Sequence, residues 1–152
     1  TPAGIIELIE RSKIQTEGKK CLVIGRSQIV GRPISILLSQ SKVFGNSTVT
    51  VAHSKTINLK ELCIDSDLII SAIGSPEFIK GNMVKKGSTI IDVGITRVDD
   101  SSSNKGYRIV GDVDFNSVSD RVGYITPVPG GVGPMTIAML LQNTLKACSL
   151  SD

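Results

Sequence analysis

The sequence predicts an α/β protein with a doubly wound, mostly parallel sheet in a single domain. The chain has 152 residues, which is the size of one ordinary domain. Short runs of β-branched and aliphatic residues alternate with segments of helical periodicity, as in a parallel sheet covered by helices. Aromatic residues make up only 3% of the chain, so we expect a core of Ile, Val, Leu and Ala, which is usual for sheets buried on both faces.

The first half of the chain contains the clearest alternation of strands and helices. Thr1 and Pro2 precede an amphipathic segment and predict a short first helix with Thr1 as its N-cap. Aliphatic runs bounded by turn residues predict four parallel strands, at 19–25, 47–54, 67–74 and 88–94. Helices or helical turns are predicted between them, at 30–41, 58–66 and 81–87.

The alternation breaks after the fourth strand. Two strand-like pieces flank a tip rich in Ser, Asp and Asn at 99–106, which predicts a β-hairpin that departs from the sheet. A helix follows with Asp114 as its N-cap, and residues 123–127 are predicted as a short last strand. The closing helix is expected from Pro134 onward.

Composition narrows the classes of partner. The net charge is +3, from 17 basic and 14 acidic residues. This suits a small anionic ligand, whereas a nucleic-acid-binding protein would carry runs of Lys and Arg interleaved with aromatic residues. No apolar run approaches the roughly 18 residues of a membrane span. We therefore expect neither nucleic acid nor a membrane as a partner.

The cysteines indicate the cellular compartment, and the first residue indicates the extent of the chain. Cys21, Cys63 and Cys148 are an odd number without metal-binding spacing, so no metal site is predicted. The pattern is typical of a reducing compartment, and we expect a cytoplasmic protein with an organellar location left open. Because the sequence begins at Thr1 rather than Met, we also expect it to be part of a longer chain.

Glycines follow several predicted strands at the edge where a ligand is expected, because ligands of open α/β sheets bind beyond the carboxyl ends of the strands. Gly25-Arg26-Ser27 follows the first strand and Gly74 the third. The first turn joins a strand to a helix, as phosphate-binding turns do, although Ser27 replaces the second glycine of the dinucleotide fingerprint. The alternative is an ordinary strand–helix turn in which Gly31 serves packing.

The end of the second strand indicates the type of dinucleotide. NAD sites usually place Asp or Glu there to hold the ribose 2′-hydroxyl. Here the sequence is His53-Ser54-Lys55-Thr56, without a carboxylate. Arg26 and Ser54 can instead bind a 2′-phosphate, so we predict NADP as the cofactor. The alternative is that His53 and Ser54 only cap the strand.

Asp92, Asp112 and Asp114 are the carboxylates nearest this edge, and a general acid or base would be drawn from them. For Asp112 and Asp114 we favour turn and capping roles. The sequence shows no nucleophile–base pair and no metal cluster. We therefore predict a cofactor site without a catalytic residue in this chain.

The loop at 127–134 joins the last strand to the closing helix and contains three prolines and three glycines. The prolines restrict the backbone, and the glycines allow a ligand to approach it closely. The predicted position at the ligand edge makes this loop a wall of the binding site.

Five ordered motifs resemble one enzyme family: GRSQIVGRP, TVTVAHSKT, MVKKGSTIIDVGI, GDVDF and ITPVPGGVGPMTIAMLL. Over essentially the whole chain they are similar to bifunctional methylenetetrahydrofolate dehydrogenase/methenyltetrahydrofolate cyclohydrolase. The resemblance implies the Rossmann-like, NADP-binding C-terminal domain of a usually homodimeric enzyme. That enzyme oxidises 5,10-methylenetetrahydrofolate with NADP and hydrolyses 5,10-methenyltetrahydrofolate to 10-formyltetrahydrofolate.

The resemblance and the residue patterns together predict two groups of site residues. The cofactor-binding group is Gly25, Arg26, Ser27, Ser54, Gly74, Ile95 and Thr136. The group that borders the tetrahydrofolate substrate is Pro129, Gly130, Gly131, Val132 and Gly133. On this basis, Gly131→Val is expected to weaken folate turnover far more than folding.

The resemblance also implies that the catalytic groups lie elsewhere. The family's catalytic Lys, within a Tyr-x-x-x-Lys motif, and its folate-binding Asp belong to an N-terminal domain. Neither Tyr107 nor Tyr124 has a Lys four residues on. We expect this chain alone to be inactive. The alternative is a non-catalytic binding or dimerisation module of a relative that lost the dehydrogenase activity.

Overall fold

Five parallel strands form the central sheet of the computed structural model, which describes residues 1–150. They are β1 Lys20–Ile24, β2 Thr48–Ala52, β3 Leu68–Ser71, β4 Thr89–Asp92 and β7 Tyr124–Ile125. Their spatial order is β2–β1–β3–β4–β7, and all neighbouring pairs are parallel. The predicted doubly wound parallel sheet is confirmed. Residues 151–152 of the predicted domain lie outside the described residues.

An antiparallel hairpin follows β4 and stands apart from the sheet. It consists of β5 Thr96–Asp99 and β6 Tyr107–Val110, with Thr96 paired to Val110 and Asp99 to Tyr107. This confirms the hairpin predicted from its polar tip.

Helices cover both faces of the sheet. They are α1 Pro2–Arg11, α2 Gly31–Ser39, α3 Leu59–Asp65, α4 Phe115–Val118 and α5 Val132–Ser149, with a 3-10 turn at Gly81–Met83. One buried cluster contains residues of α1, α2 and the start of α5, and the other contains residues of α3 and α4. Neighbouring residues of β3 serve opposite faces, since Ile70 belongs to the first cluster and Ile69 to the second. This alternation places one sheet between two aliphatic cores.

Three predicted helix starts need refinement. Helix α5 begins at Val132 rather than Pro134, because a proline in the first helical turn does not disrupt the backbone hydrogen bonds. Asp114 caps α4 as predicted, with its carboxylate accepting from Ser117 N at 3.3 Å, but α4 spans one turn only. Thr1 occupies the N-cap position of α1 without a side-chain capping bond. Its hydroxyl instead accepts from Thr136 Oγ1 at 3.2 Å and joins the starts of α1 and α5.

Within residues 1–150, no helix has both the length and the apolar character that a membrane crossing requires.

Candidate functional site

The turn after β1 lies at the point where the strand order of the sheet reverses. From β1 the chain passes to β2 on one side, whereas β3 lies on the other side of β1. Gly25 follows β1 with φ 118°, a conformation that favours glycine. A Cβ at Gly25 would also collide with the Ala72 carbonyl oxygen beyond β3. Glycine therefore lets the β1 and β3 turns approach each other at the place where open α/β sheets bind ligands.

Ser27 organises the start of α2. Its hydroxyl oxygen accepts from the backbone N–H groups of Val30 at 3.2 Å and Gly31 at 3.3 Å. A Cβ at Gly31 would collide with the Gly25 carbonyl oxygen, so the packing role considered for Gly31 is real. Ser27 therefore has a structural role as an acceptor, and its hydroxyl hydrogen can still be donated to a ligand.

The first turn presents backbone donors suited to an anion. Among residues 1–150, the N–H groups of Arg26, Ser27, Gln28 and Ile29 donate no hydrogen bond. They precede the amino terminus of α2, where the helix dipole favours negative charge. Unpaired N–H groups before a helix start are the kind of donor that binds an anionic group such as a phosphate.

The turn after β2 lies beside the first turn. Gly25 N donates to Ala52 O at 2.9 Å, which places Arg26 and the residues after β2 at neighbouring strand ends. Arg26 and Ser54 are both exposed. His53 has a turn role, since its Nδ1 accepts from Lys55 N at 3.2 Å. The exposed guanidinium and hydroxyl groups, with no carboxylate at this strand end, suit a 2′-phosphate.

A cleft of about 500 Å³ opens beyond β4 and β7. Its lining is mostly apolar and comes from β4, the hairpin, the loop at 127–131 and the first turn of α5. Seven predicted site residues line it: Pro129, Gly130, Gly131, Val132, Gly133, Ile95 and Thr136. The other five, which lie at the ends of β1, β2 and β3, are not among its lining residues: Gly25, Arg26, Ser27, Ser54 and Gly74. The predicted residues thus form two adjoining surfaces at one edge of the sheet.

The glycines of the loop have different structural roles. Gly130 has φ 105° and open space around it, and Gly133 also has open space. A Cβ at Gly131 would lie 2.5 Å from Pro127 O and 2.9 Å from Thr126 Cβ. Gly131→Val would therefore also displace the loop backbone, so the expectation that it weakens folate turnover far more than folding stays a prediction that this substitution cannot test cleanly. Gly133→Ala changes the cleft wall without such a collision. The Val128–Pro129 peptide bond is cis.

Comparison with known proteins decides the family. The sequence profile of the tetrahydrofolate dehydrogenase/cyclohydrolase NAD(P)-binding domain matches residues 1–152. The chain belongs to this NAD(P)-binding domain family. The bifunctional protein FolD of Flavobacterium johnsoniae is 63% identical over 147 residues, which are 97% of this chain and 50% of that protein. The chain thus spans about half the length of the curated relatives that it matches.

Solved structures show the same fold. The bifunctional FolD methylenetetrahydrofolate dehydrogenase/cyclohydrolase from Campylobacter jejuni has a TM-score of 0.89 and 46% identity, over 99% of this chain and 50% of its own. The enzyme from Trypanosoma brucei, solved with NADP cofactor and inhibitor, has a TM-score of 0.90 and 43% identity, with the same two coverages.

Sequence reasoning missed part of the cleft of this NAD(P)-binding domain. Ile109 of the hairpin and Ile137 of α5 line it, as does Thr1. The polar tip predicted the hairpin, but a local sequence pattern does not show how a hairpin is oriented relative to the sheet. Only Ile137 had a detectable signal, since it lies one residue after Thr136 on the helix that borders the loop.

Two buried aspartates lie behind the cleft of this NAD(P)-binding domain. Asp92 is 3% exposed and Asp112 is fully buried. The turn role predicted for Asp112 is confirmed, because its carboxylate accepts from the N–H groups of Ile73 at 2.7 Å and Ser75 at 2.9 Å. Asp92 reaches the cleft lining, but its carboxylate accepts three backbone N–H bonds, from Gly94, Asp112 and Val113. Both side chains therefore serve the turns of the ligand edge.

Proposed function

We propose that this chain is the cofactor-binding half of an enzyme that oxidises 5,10-methylenetetrahydrofolate with NADP and hydrolyses 5,10-methenyltetrahydrofolate to 10-formyltetrahydrofolate. The observation that carries the proposal is the pair of adjoining surfaces at one sheet edge. One is a turn with backbone donors and an adjacent arginine, and the other is an apolar cleft of about 500 Å³ walled by the Pro- and Gly-rich loop. The solved relatives from Campylobacter jejuni and Trypanosoma brucei, which are named as methylenetetrahydrofolate dehydrogenase/cyclohydrolase, support the assignment.

The first surface would hold the dinucleotide. The N–H groups from Arg26 to Ile29 would bind the pyrophosphate, and Gly25 allows the turn to approach β3 closely. The Arg26 guanidinium and the Ser54 hydroxyl would bind the 2′-phosphate. Gly74, with φ 75° and open space around it, leaves room for the ligand beyond β3. When bound, NADP supplies the acceptor for the hydride that leaves the methylene carbon of the substrate.

The second surface would hold the reacting rings. Ile95 is 67% exposed and borders the cleft, where it can pack on a flat ring. Pro129, Gly130 and Gly133 offer backbone and little side chain, so a planar ligand can lie against the loop. An apolar cleft also excludes water from the hydride-transfer step. Hydrolysis of the methenyl bridge, by contrast, requires one water molecule at the bridge carbon.

The proton-transfer groups would come from the remaining half of the enzyme. Each buried carboxylate beside the cleft is held by several backbone or hydroxyl donors, and within residues 1–150 no Tyr is followed by a Lys four residues on. Large apolar side chains on α5, Ile137, Leu140, Leu141 and Leu145, are 63% to 72% exposed, as expected for a helix that packs against further protein.

We also propose a homodimer in the cytoplasm. The family resemblance supports the homodimer. Sedimentation of the complete gene product distinguishes a monomer from a dimer. The three cysteines are unpaired, which suits a reducing compartment.

Turnover by the complete gene product tests the proposed function. We expect NADP reduction that depends on 5,10-methylenetetrahydrofolate, and hydrolysis of 5,10-methenyltetrahydrofolate, both measured by absorbance. Residues 1–152 alone should show neither activity above the uncatalysed rate. A complete gene product that binds NADP but catalyses neither reaction would contradict the enzyme assignment and favour the binding or dimerisation module.

A further inference from the structure

Asp112 connects the end of β6 to the turn after β3. Its Oδ2 accepts from Ile73 N at 2.7 Å and from Ser71 Oγ at 3.1 Å, and its Oδ1 accepts from Ser75 N at 2.9 Å. These donors flank Gly74 on both sides. The carboxylate therefore determines the path of the backbone at the turn that is proposed to leave room for the dinucleotide.

Asp92 connects the end of β4 to the same region. Its Oδ1 accepts from Gly94 N at 2.9 Å and from Asp112 N at 3.0 Å, and its Oδ2 accepts from Val113 N at 2.9 Å. The backbone N–H of Asp92 donates to Thr126 Oγ1 at 2.8 Å, which extends the connection to the loop after β7. The two carboxylates thus join the turns after β3 and β4 to the segment that returns from the hairpin.

Two glycines bring the carboxylates into close contact with the backbone. A Cβ at Gly94 would collide with the Asp112 carboxylate, and a Cβ at Gly111 would collide with the Asp92 carboxylate. Each carboxylate therefore fills the space that a side chain would take on the neighbouring segment. The arrangement is reciprocal, since each glycine lies within two residues of the other aspartate.

Stability alone does not account for two buried carboxylates. A buried ion loses its hydration, and well-packed apolar residues of similar volume are often as stable or more stable. These two instead accept six hydrogen bonds, five from backbone N–H groups and one from a hydroxyl, and three of the six come from the turns after β3 and β4. Carboxylates that accept several N–H bonds fix the direction of each donor, which apolar packing does not.

We propose that Asp92 and Asp112 are positioning residues that hold the ligand-edge turns in the conformation that binds the dinucleotide. The inference rests on the proposed function for the identity of the ligand. Asp112 positions Gly74 through its two neighbours, and Asp92 positions Ile95 through Gly94. Both carboxylates act through the backbone that they hold.

Asp112→Asn tests the proposal most directly. An amide has one oxygen acceptor, so its NH₂ group would face Ile73 N–H or Ser75 N–H and release one end of the turn. Asp114→Asn is the matched control. It removes the same charge two residues away, but Asp114 caps α4 and pairs with Lys80 outside both surfaces. NADP affinity by calorimetry and native-state amide exchange by NMR are measured on all three proteins.

We expect Asp112→Asn to weaken NADP affinity about tenfold or more, and Asp114→Asn to change it less than about twofold. The amides of Ile73 and Ser75 should lose protection in Asp112→Asn, while those of Ile69 and Ile90 in the sheet keep it. An amide pattern restricted to the turn separates positioning from general destabilisation. Unchanged affinity in a folded Asp112→Asn protein overturns the proposal.

Two further outcomes are also decisive. If Asp112→Asn does not fold, the parent chain and Asp92→Asn carry the test. In the parent chain, amide exchange at Ile73, Ser75 and Gly94 that is as fast as at the hairpin tip overturns the proposal. Slow exchange at these amides that becomes fast at Gly94 in Asp92→Asn supports it. If the parent chain binds neither NADP nor NAD, the proposed function fails, and amide exchange alone shows whether the carboxylates hold the turns.

Discussion

At the scale of single residues, Asp92 shows how the fold alters a charge. Burial raises the pKa of its carboxyl from 3.8 to about 6. The N–H groups of Asp112, Val113 and Gly94 lower the pKa, and the Asp112 carboxylate raises it, but desolvation is the largest effect. Because the folded pKa is above the unfolded pKa, this group contributes stability below about pH 4 that is lost as the pH rises through about 6.

Comparison with Asp92→Asn isolates that contribution. The free energy of unfolding of the parent chain, minus that of Asp92→Asn, should fall by up to about 3 kcal/mol between about pH 4 and pH 7. Asparagine loses a hydrogen bond at every pH, which adds a constant offset and no slope. Urea unfolding at several pH values measures the difference. A difference that stays constant with pH would show that Asp92 titrates normally in the folded chain.

The cysteines give a second prediction at this scale. Burial raises the pKa of Cys21 to about 12 and that of Cys63 to about 11, so neither thiol forms a reactive thiolate near neutral pH. Cys148 is exposed on α5. A thiol reagent such as DTNB should modify Cys148 in the native chain, and Cys21 and Cys63 only after unfolding. Rapid modification of all three thiols in the native chain would contradict the buried positions of Cys21 and Cys63.

At the scale of elements, the β1–α2 connection shows why Gly25 and Gly31 are paired. Gly31 begins α2 and is buried against the Gly25 carbonyl oxygen, whereas Gly133 lies in the first turn of α5 with open space around it. The same substitution should therefore destabilise the chain at Gly31 but not at Gly133.

We expect Gly31→Ala to destabilise the chain by about 1–3 kcal/mol, because a methyl group must push the β1 turn away from the helix. Gly133→Ala should leave stability unchanged or raise it by up to about 1 kcal/mol, since alanine favours a helix. Thermal and urea unfolding of both variants provide the comparison. A Gly31→Ala variant as stable as the parent chain would show that the contact between Gly31 and Gly25 has no energetic effect.

The same elements show what sequence patterns can and cannot predict. Aliphatic runs located β1, β3 and β4, because a strand buried on both faces has to be apolar along its length. The second strand, β2, was also located, although it lies at the sheet edge and is largely exposed. The orientation of the hairpin relative to the sheet, which brings Ile109 to the cleft, depends on tertiary contacts that no local pattern encodes. The sequence indicated only a ligand contact for Gly131, because composition does not show that a Cβ there would meet Pro127 and Thr126.

At the scale of the whole molecule, topology brings distant motifs to one edge. Four adjacent parallel strands are followed by turns that contain Gly25, Ser54, Gly74 and Gly94. These turns lie at the same edge of the sheet although they are far apart in sequence. That convergence was predictable, since parallel strands have their carboxyl ends on one side. The division of this edge into a donor-rich surface and an apolar cleft was not predictable, because it depends on which turns the hairpin and α5 cover.

Dinucleotide titration by calorimetry tests the central claim, that this edge binds a dinucleotide and that Arg26 selects the 2′-phosphate. We expect the parent chain to bind NADP at least about tenfold more tightly than NAD, and Arg26→Ala to lose most of that preference while its NAD affinity changes less than about twofold. Such a result would place the guanidinium at the 2′-phosphate. Equal affinity of the parent chain for both dinucleotides, or no binding of either, would contradict the account.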